Sequence, residues 1–114
     1  MKIIRYPACG TEAKAVVFGN TVFCAGLSAQ KGDTMAEQTA DILAQYDSLF
    51  AEIGTAKESL IMANTFLYDM ADGEGYGQVW REWLVGVGPP AGVCVQAVLP
   101  PGQKIVISLI AAIG

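Results

Sequence analysis

The clearest pattern of buried and exposed positions in the chain predicts an α-helix between Gly32 and Thr55. Side chains that can be buried recur there at alternating spacings of four and three residues, which places them on one helix face. They are Thr39, Leu43, Tyr46, Phe50 and Ile53. Asp33 or Thr34 is expected to cap the start of this helix, and Gly54 to end it in the left-handed conformation.

A second helix is predicted between residues 72 and 88, ended by Pro89 and Pro90. Its apolar face is expected to hold Tyr76, Val79 or Trp80, Trp83 and Val87. The helical spacing of the two tryptophans indicates packing between helix and sheet rather than a binding platform. Glycines at 73, 75 and 77 weaken the first turn of this helix, each by about 1 kcal/mol relative to alanine.

The remaining apolar stretches are short and predict strands. They cover residues 2–6, 14–18, 21–26, 59–68, 92–98 and 104–112. Gly19 and Asn20 predict a tight turn that joins the second and third strands into a hairpin. The resulting order, β-β-β-α-β-α-β-β, indicates an α+β sandwich in which the helices cover one face of a mostly antiparallel sheet.

The last predicted strand is apolar on both of its faces. Val106, Ser108 and Ile110 alternate with Ile105, Ile107, Leu109 and Ala111. Such a strand is typical of a sheet buried on both sides, but the two predicted helices can cover only one side. We therefore expect another copy of the chain to cover the second face, with closed point symmetry.

Length and composition agree with a small protein that shares surface with a partner. The chain has 114 residues, which fits one domain over 1–114. Charged residues make up only 16%, against roughly a quarter in an average domain. No window reaches the ~18 apolar residues of a membrane span, and residues 1–10 do not form a signal peptide. We expect a soluble, cytoplasmic protein without a membrane partner.

Charge and residue types exclude several functions. The net charge is −4 and the seven basic residues are scattered, so nucleic-acid binding is not expected. There is no histidine, which excludes a histidine base and a zinc site that needs imidazole. The three cysteines, an odd number at wide spacing, indicate reduced cytosolic thiols. No metal or other cofactor is expected.

Four segments, in order and at matching separations, resemble the Rid family of proteins, also called the YjgF, RutC-like or reactive intermediate deaminase family. They are Gly19–Gly26, Glu37–Gly54, Thr65–Trp83 and Val95–Ile113. The resemblance implies a chorismate-mutase-like fold. It also implies a cytosolic homotrimer in which three sheets form a central barrel and ligand clefts lie between neighbouring subunits.

Active members of that family hydrolyse enamines and imines to a 2-oxo acid and ammonia. An arginine at the start of the penultimate strand binds the substrate carboxylate through two parallel hydrogen bonds. Gly92 occupies the arginine position in this chain, and Cys94 matches the family's cysteine. A glutamate proposed to orient water is replaced by Val106. Gly92→Arg is therefore predicted to restore some binding of small 2-oxo acids.

The other cleft positions of the family have changed as well. Its tyrosine before the first hairpin arm falls near Glu12 or Thr11. The serine and glutamine beside the hairpin glycine fall on Ala25 and Leu27, whereas Gly26 is kept. No catalytic residue is assigned. The candidate cleft residues are Gly26, Ala25, Gly92, Cys94, Val106 and Glu12.

Two of these residues have alternative interpretations. Cys94 is either a small apolar filler or a thiol that lines the cleft. Gly92 is either a turn residue or a position where a ligand approaches the backbone.

The leading hypothesis is a homotrimer that binds an unknown small metabolite, uncharged or weakly polar, in clefts between subunits. It has no efficient 2-iminopropionate or 2-aminoacrylate deaminase activity. The alternatives are a hydrolase for an enamine or imine without a carboxylate, or a structural or regulatory partner protein with vestigial clefts.

Overall fold

The computed structural model describes residues 2–8 and 10–114. Cys9, one of the three cysteines predicted to be reduced, lies outside the described residues. The strands are β1 Ile3–Tyr6, β2 Ala15–Phe18, β3 Thr21–Cys24, β4 Leu27–Ser28, β5 Leu60–Leu67, β6 Ala91–Gln96 and β7 Ile105–Ala112. The helices are α1 Met35–Ile53 and α2 Gly73–Trp83. Short 3-10 turns cover Lys57–Ser59 and Met70–Asp72. Within these residues, no helix is both long enough and apolar enough to cross a membrane.

The strands form a single sheet in the order β1-β2-β3-β7-β5-β6, and β4 also pairs with β7. The sheet is antiparallel except for β5 and β6, which run parallel because α2 carries the chain from one to the other. Both helices lie on one face. The predicted α+β fold is therefore confirmed, and β7 lies at its centre.

Local signals at both ends of α1 act as predicted. Thr34, rather than Asp33, is the cap, because its hydroxyl accepts a hydrogen bond from the Glu37 N–H at 3.1 Å. The Glu37 carboxylate accepts one in return from the Thr34 N–H. Gly54 ends the helix with φ +96°. Four of the five predicted face residues are buried, and Ile53 is half-buried.

Two predicted element ends were wrong, and one strand was missed. The third strand ends at Cys24 rather than Gly26, and the chain then forms the unpredicted strand β4. The second helix ends at Trp83, well before the prolines, so Val87 lies beyond the helical face on which it was predicted. Gly86 has φ +78°, a left-handed conformation that a continuing helix does not adopt.

The two faces of the sheet differ in what covers them. Ile105, Ile107, Leu109 and Ala111 are fully buried beneath the helices. The alternate residues of β7 are only half-buried, and their pairing partners on neighbouring strands point the same way. Together these side chains form a mostly apolar surface, which we call the open face. It includes Val16, Phe18, Phe23, Met62, Phe66, Val106 and Ile110.

Candidate functional site

The predicted cleft residues fall into two groups within one chain. Gly92 and Cys94 lie on β6, the strand at one edge of the sheet. Ala25, Gly26 and Val106 lie around β4 and the start of β7. Because β5 separates β6 from β7, one chain does not bring the two groups together.

The first group borders a cavity on the helix side of the sheet. Cys94 pairs with the buried residue Thr65, so both side chains point toward the helices. The cavity has a volume of about 210 Å³, and we call it the β6 cavity. Its lining residues are Ala63, Tyr76, Trp80, Pro90, Ala91, Gly92, Val93 and Cys94.

Aromatic side chains from α2 form one wall of the β6 cavity. Tyr76 and Trp80 are one helical turn apart, and their ring centroids lie 6.0 Å apart with 28° between the planes. The Tyr76 hydroxyl lies 3.2 Å from the Thr65 hydroxyl oxygen. None of the described residues that line the cavity carries a charged side chain. The cavity therefore presents flat apolar surface and a few neutral polar groups.

The backbone at Gly92 requires glycine. Its φ is +149°, a value that residues with a side chain rarely adopt. A Cβ at this position would overlap the backbone oxygen of Ala63 on β5. It would therefore point into the sheet rather than into the cavity. Residue 92 matches the position of the family's arginine. In this backbone conformation it cannot present a side chain to a ligand.

The thiol of Cys94 is exposed on β6 but is not activated. Desolvation by its surroundings raises the pKa of this thiol above its usual value. A reactive cysteine needs a lowered pKa, usually from a neighbouring cation or a helix N-terminus. The Cys94 thiol is therefore uncharged at physiological pH, and it lines the β6 cavity.

The second group depends on a close contact between the hairpin and β7. A Cβ on Gly26 would lie 2.8 Å from Cγ1 of Val106, so only glycine allows this approach. Val106 is half-buried and pairs with Phe66 and Ser28, which places it on the open face. The side chains of this second group, Ala25 and Val106, are apolar.

Glu12 lies in the segment that connects β1 with β2, and its side chain is exposed. The Ala25 N–H donates a hydrogen bond of 2.8 Å to the Lys14 carbonyl, so this segment runs beside the second group. Lys14, two residues after Glu12, therefore lies beside Ala25, whereas Gly92 and Cys94 lie on the edge strand β6.

Tyr46 has a positioning role in the structure, whereas the sequence pattern predicted only that it belongs to the core. The hydroxyl of the buried Tyr46 lies 2.7 Å from the Ala25 carbonyl oxygen and 2.8 Å from that of Ile107. Its single hydrogen is shared between these two acceptors, and burial raises the pKa of the phenol. Tyr46 thereby ties the loop before Gly26 to β7.

Tyr46→Phe is expected to lower the free energy of unfolding by about 1–3 kcal/mol, because two carbonyl groups lose their donor. Chemical denaturation measures this change. Tyr68→Phe is the matched control: Tyr68 is 58% exposed, and its loss should change stability by less than about 0.5 kcal/mol. Equal stability of the two variants would contradict the role of Tyr46.

The described residues contain no cluster of three or more side chains of the types His, Cys, Asp and Glu that could hold a metal ion.

Three features define the class of this small α+β protein. They are the order of strands in the sheet, the two helices on one face, and the close contact of Gly26 with Val106. The sequence profile of the family described as Endoribonuclease L-PSP matches residues 5–113. The chain therefore belongs to this family, which is also the Rid or YjgF family.

Individual relatives agree with this assignment. The chain is 32% identical to the RutC family protein YoaB of Escherichia coli, over 99% of this chain and all of YoaB. A RutC family protein of Haemophilus influenzae is 41% identical over 66% of each chain. The crystal structure of a YjgF family member from Neisseria meningitidis superimposes with a TM-score of 0.93 at 34% identity, covering 100% of this chain and 97% of that one.

Proposed function

We propose that this protein is a cytoplasmic homotrimer that binds a small uncharged metabolite in clefts between its subunits. We further propose that it does not hydrolyse 2-iminopropionate or 2-aminoacrylate efficiently. The observation that carries the proposal is the backbone conformation of Gly92. A Cβ at this position would point into β5, so residue 92 does not supply a cation to the β6 cavity, and no other lining residue does.

The trimer is supported by the open face. Phe18 and Phe23 are each 47% exposed on a face that the helices do not cover. Exposed apolar surface of this extent is typical of an interface. One chain keeps the group around Gly26 and Val106 apart from the group around Cys94, so these groups could meet only across a contact between subunits. Only such a contact would unite the six cleft positions.

An uncharged ligand is supported by what lines the β6 cavity. A carboxylate placed there would lose its hydration without gaining a cationic partner, which costs several kcal/mol. An uncharged ligand does not incur this cost. It can still form hydrogen bonds with the Tyr76 hydroxyl and with backbone groups of the edge strand β6.

Binding is favoured over catalysis because the site lacks a group that activates water. Val106 cannot accept a proton, and the raised pKa of Cys94 keeps its thiol protonated. General acid–base catalysis needs a side chain that titrates near the working pH and reaches the reacting atom. Among the described residues that line the β6 cavity, none is such a group. A hydrolase for a substrate without a carboxylate is therefore the weaker alternative.

Hydrolysis of 2-iminopropionate is expected to proceed no faster with this protein than without it. Loss of the charge-assisted contact removes about 3 kcal/mol of binding, which corresponds to roughly a hundredfold in rate at low substrate. Release of pyruvate in a coupled assay with freshly generated substrate tests this. An arginine-containing family member serves as the positive control. A rate from this protein that matches the control would disprove the proposal.

RNA binding is expected to be absent at physiological ionic strength, although the family description names an endoribonuclease. The net charge is −4, and the basic residues are scattered along the sequence without a basic run that would neutralise phosphates. A filter-binding titration with single-stranded RNA at two salt concentrations tests this. Tight binding that weakens steeply with added salt would contradict it.

A further inference from the structure

We propose that the β6 cavity binds a planar aromatic ring of an uncharged ligand, stacked on the wall formed by Tyr76 and Trp80. This inference rests on the proposed function and names the class of ligand for the same cleft.

The first observation is the contrast between the two tryptophans of α2. The Trp83 indole N–H donates to a carboxylate oxygen of Asp47 at 3.1 Å, and the Lys57 ammonium lies 5.3 Å from the centroid of the Trp83 ring. Trp83 is therefore engaged in packing between the helices. Trp80, by contrast, lines the β6 cavity beside Tyr76, so helix–sheet packing does not account for all of its surface.

The second observation is the small size of the strand residues that line the cavity. Ala63, Ala91 and Gly92 line the cavity with little or no side chain, and the glycine brings β6 close against β5. The strands therefore add little side-chain bulk to a cavity that two aromatic rings of α2 also line. Aromatic rings prefer offset-stacked or edge-to-face contact with other rings, so an aromatic ligand is favoured there over a puckered one of the same size.

The third observation is size. An engineered apolar cavity of about 150 Å³ is known to hold benzene. The β6 cavity, at about 210 Å³, therefore has room for one six-membered ring with a short substituent. The Tyr76 hydroxyl and the protonated Cys94 thiol are neutral groups that can contact a polar but uncharged substituent.

Three probes of nearly equal size test separately whether the ligand must be planar and whether it must be uncharged. Benzamide is planar and uncharged, benzoate has the same ring with a negative charge, and cyclohexanecarboxamide is uncharged but not planar. Ligand-observed NMR with the unmodified protein should show millimolar binding of benzamide. The dissociation constant of cyclohexanecarboxamide should be at least about tenfold higher, since one stacking contact accounts for a difference of this order. That of benzoate should also be at least about tenfold higher, because its charge would be desolvated without a cationic partner.

Variants of the aromatic wall locate the binding. Trp80→Leu and Tyr76→Leu should each weaken benzamide binding by about tenfold, whereas Trp80→Phe should retain most of it. Tyr68→Leu is the matched control, because Tyr68 is exposed and does not line the β6 cavity. This control should bind benzamide as the unmodified protein does. Circular dichroism establishes that each variant is folded.

Every other outcome contradicts the aromatic inference, and one of them also contradicts the proposed uncharged ligand. If cyclohexanecarboxamide binds as well as benzamide, the aromatic inference fails while the proposed uncharged ligand stands. If benzoate binds more tightly than benzamide, both fail. If benzamide does not bind at millimolar concentration, or binds folded Trp80→Leu unchanged, the ring does not occupy this cavity and the inference is wrong. The probe comparison needs no variant, so a folding failure does not prevent the test.

Discussion

Ile110→Asp is expected to dissociate the trimer or unfold the chain. Ile110 lies on the open face, paired with Phe23 on β3 and with Met62 on β5. In the proposed trimer its side chain is covered by another subunit. An aspartate there would bury a carboxylate with no partner, which costs several kcal/mol in each of three subunits. Folded subunits would therefore separate, and the exposed apolar face would leave them less stable.

Sedimentation equilibrium measures the effect directly. The unmodified protein should have three times the chain mass of 12.0 kDa, and Ile110→Asp should sediment as a monomer or lose its circular dichroism. Val85→Asp is the control, because Val85 is 77% exposed in the segment after α2. It should remain trimeric. A monomeric unmodified protein at micromolar concentration, or a trimeric Ile110→Asp variant, would rule out the proposed interface.

Gly92→Ala and Gly92→Arg are both expected to destabilise the protein by about 3 kcal/mol or more. The cost combines an unfavourable φ with the overlap between the new Cβ and the backbone oxygen of Ala63. This expectation replaces the one from sequence alone, in which the arginine restored binding of 2-oxo acids. Because the Cβ direction points into β5, the guanidinium has no direct path to the cavity.

Denaturant unfolding and a pyruvate titration test the two parts of this prediction. Gly88→Ala is the matched control, since a Cβ on Gly88 would meet nothing within 4 Å, and its stability should stay close to that of the unmodified protein. An equally stable Gly92→Ala variant would show that the strand adapts easily. A folded Gly92→Arg variant that binds pyruvate would show that the arginine site can be rebuilt.

Much of the fold follows from local signals in the sequence. The Thr34 capping box, the spacing of Leu43, Tyr46 and Phe50, and the stop at Gly54 depend only on neighbouring residues. The alternation of β7 likewise predicted its two sets of side chains, although not which set the helices bury. Such features depend on helix and strand periods, which a sequence displays directly.

Other features depend on parts of the chain that are distant in sequence. β4 has only two residues, and it exists because Leu27 and Ser28 pair with Ile107 and Val106. The φ of Gly92 depends on how closely β6 approaches β5. The position of Trp80 on a cavity wall depends on where α2 crosses the sheet. Residue types alone do not encode these contacts, so the shape of the candidate site required the structure.

The central position of β7 has a consequence for synthesis of the chain. The ribosome makes β7 after every other described strand, yet β3, β4 and β5 all pair with it. One bond across this junction, from the Ser108 hydroxyl to the Cys24 carbonyl, joins residues 84 positions apart. The nascent chain therefore displays two unpaired strand edges until Ile105–Ala112 emerges. Such edges promote aggregation, so the growing polypeptide is most exposed to aggregation late in translation, before its last described strand is made.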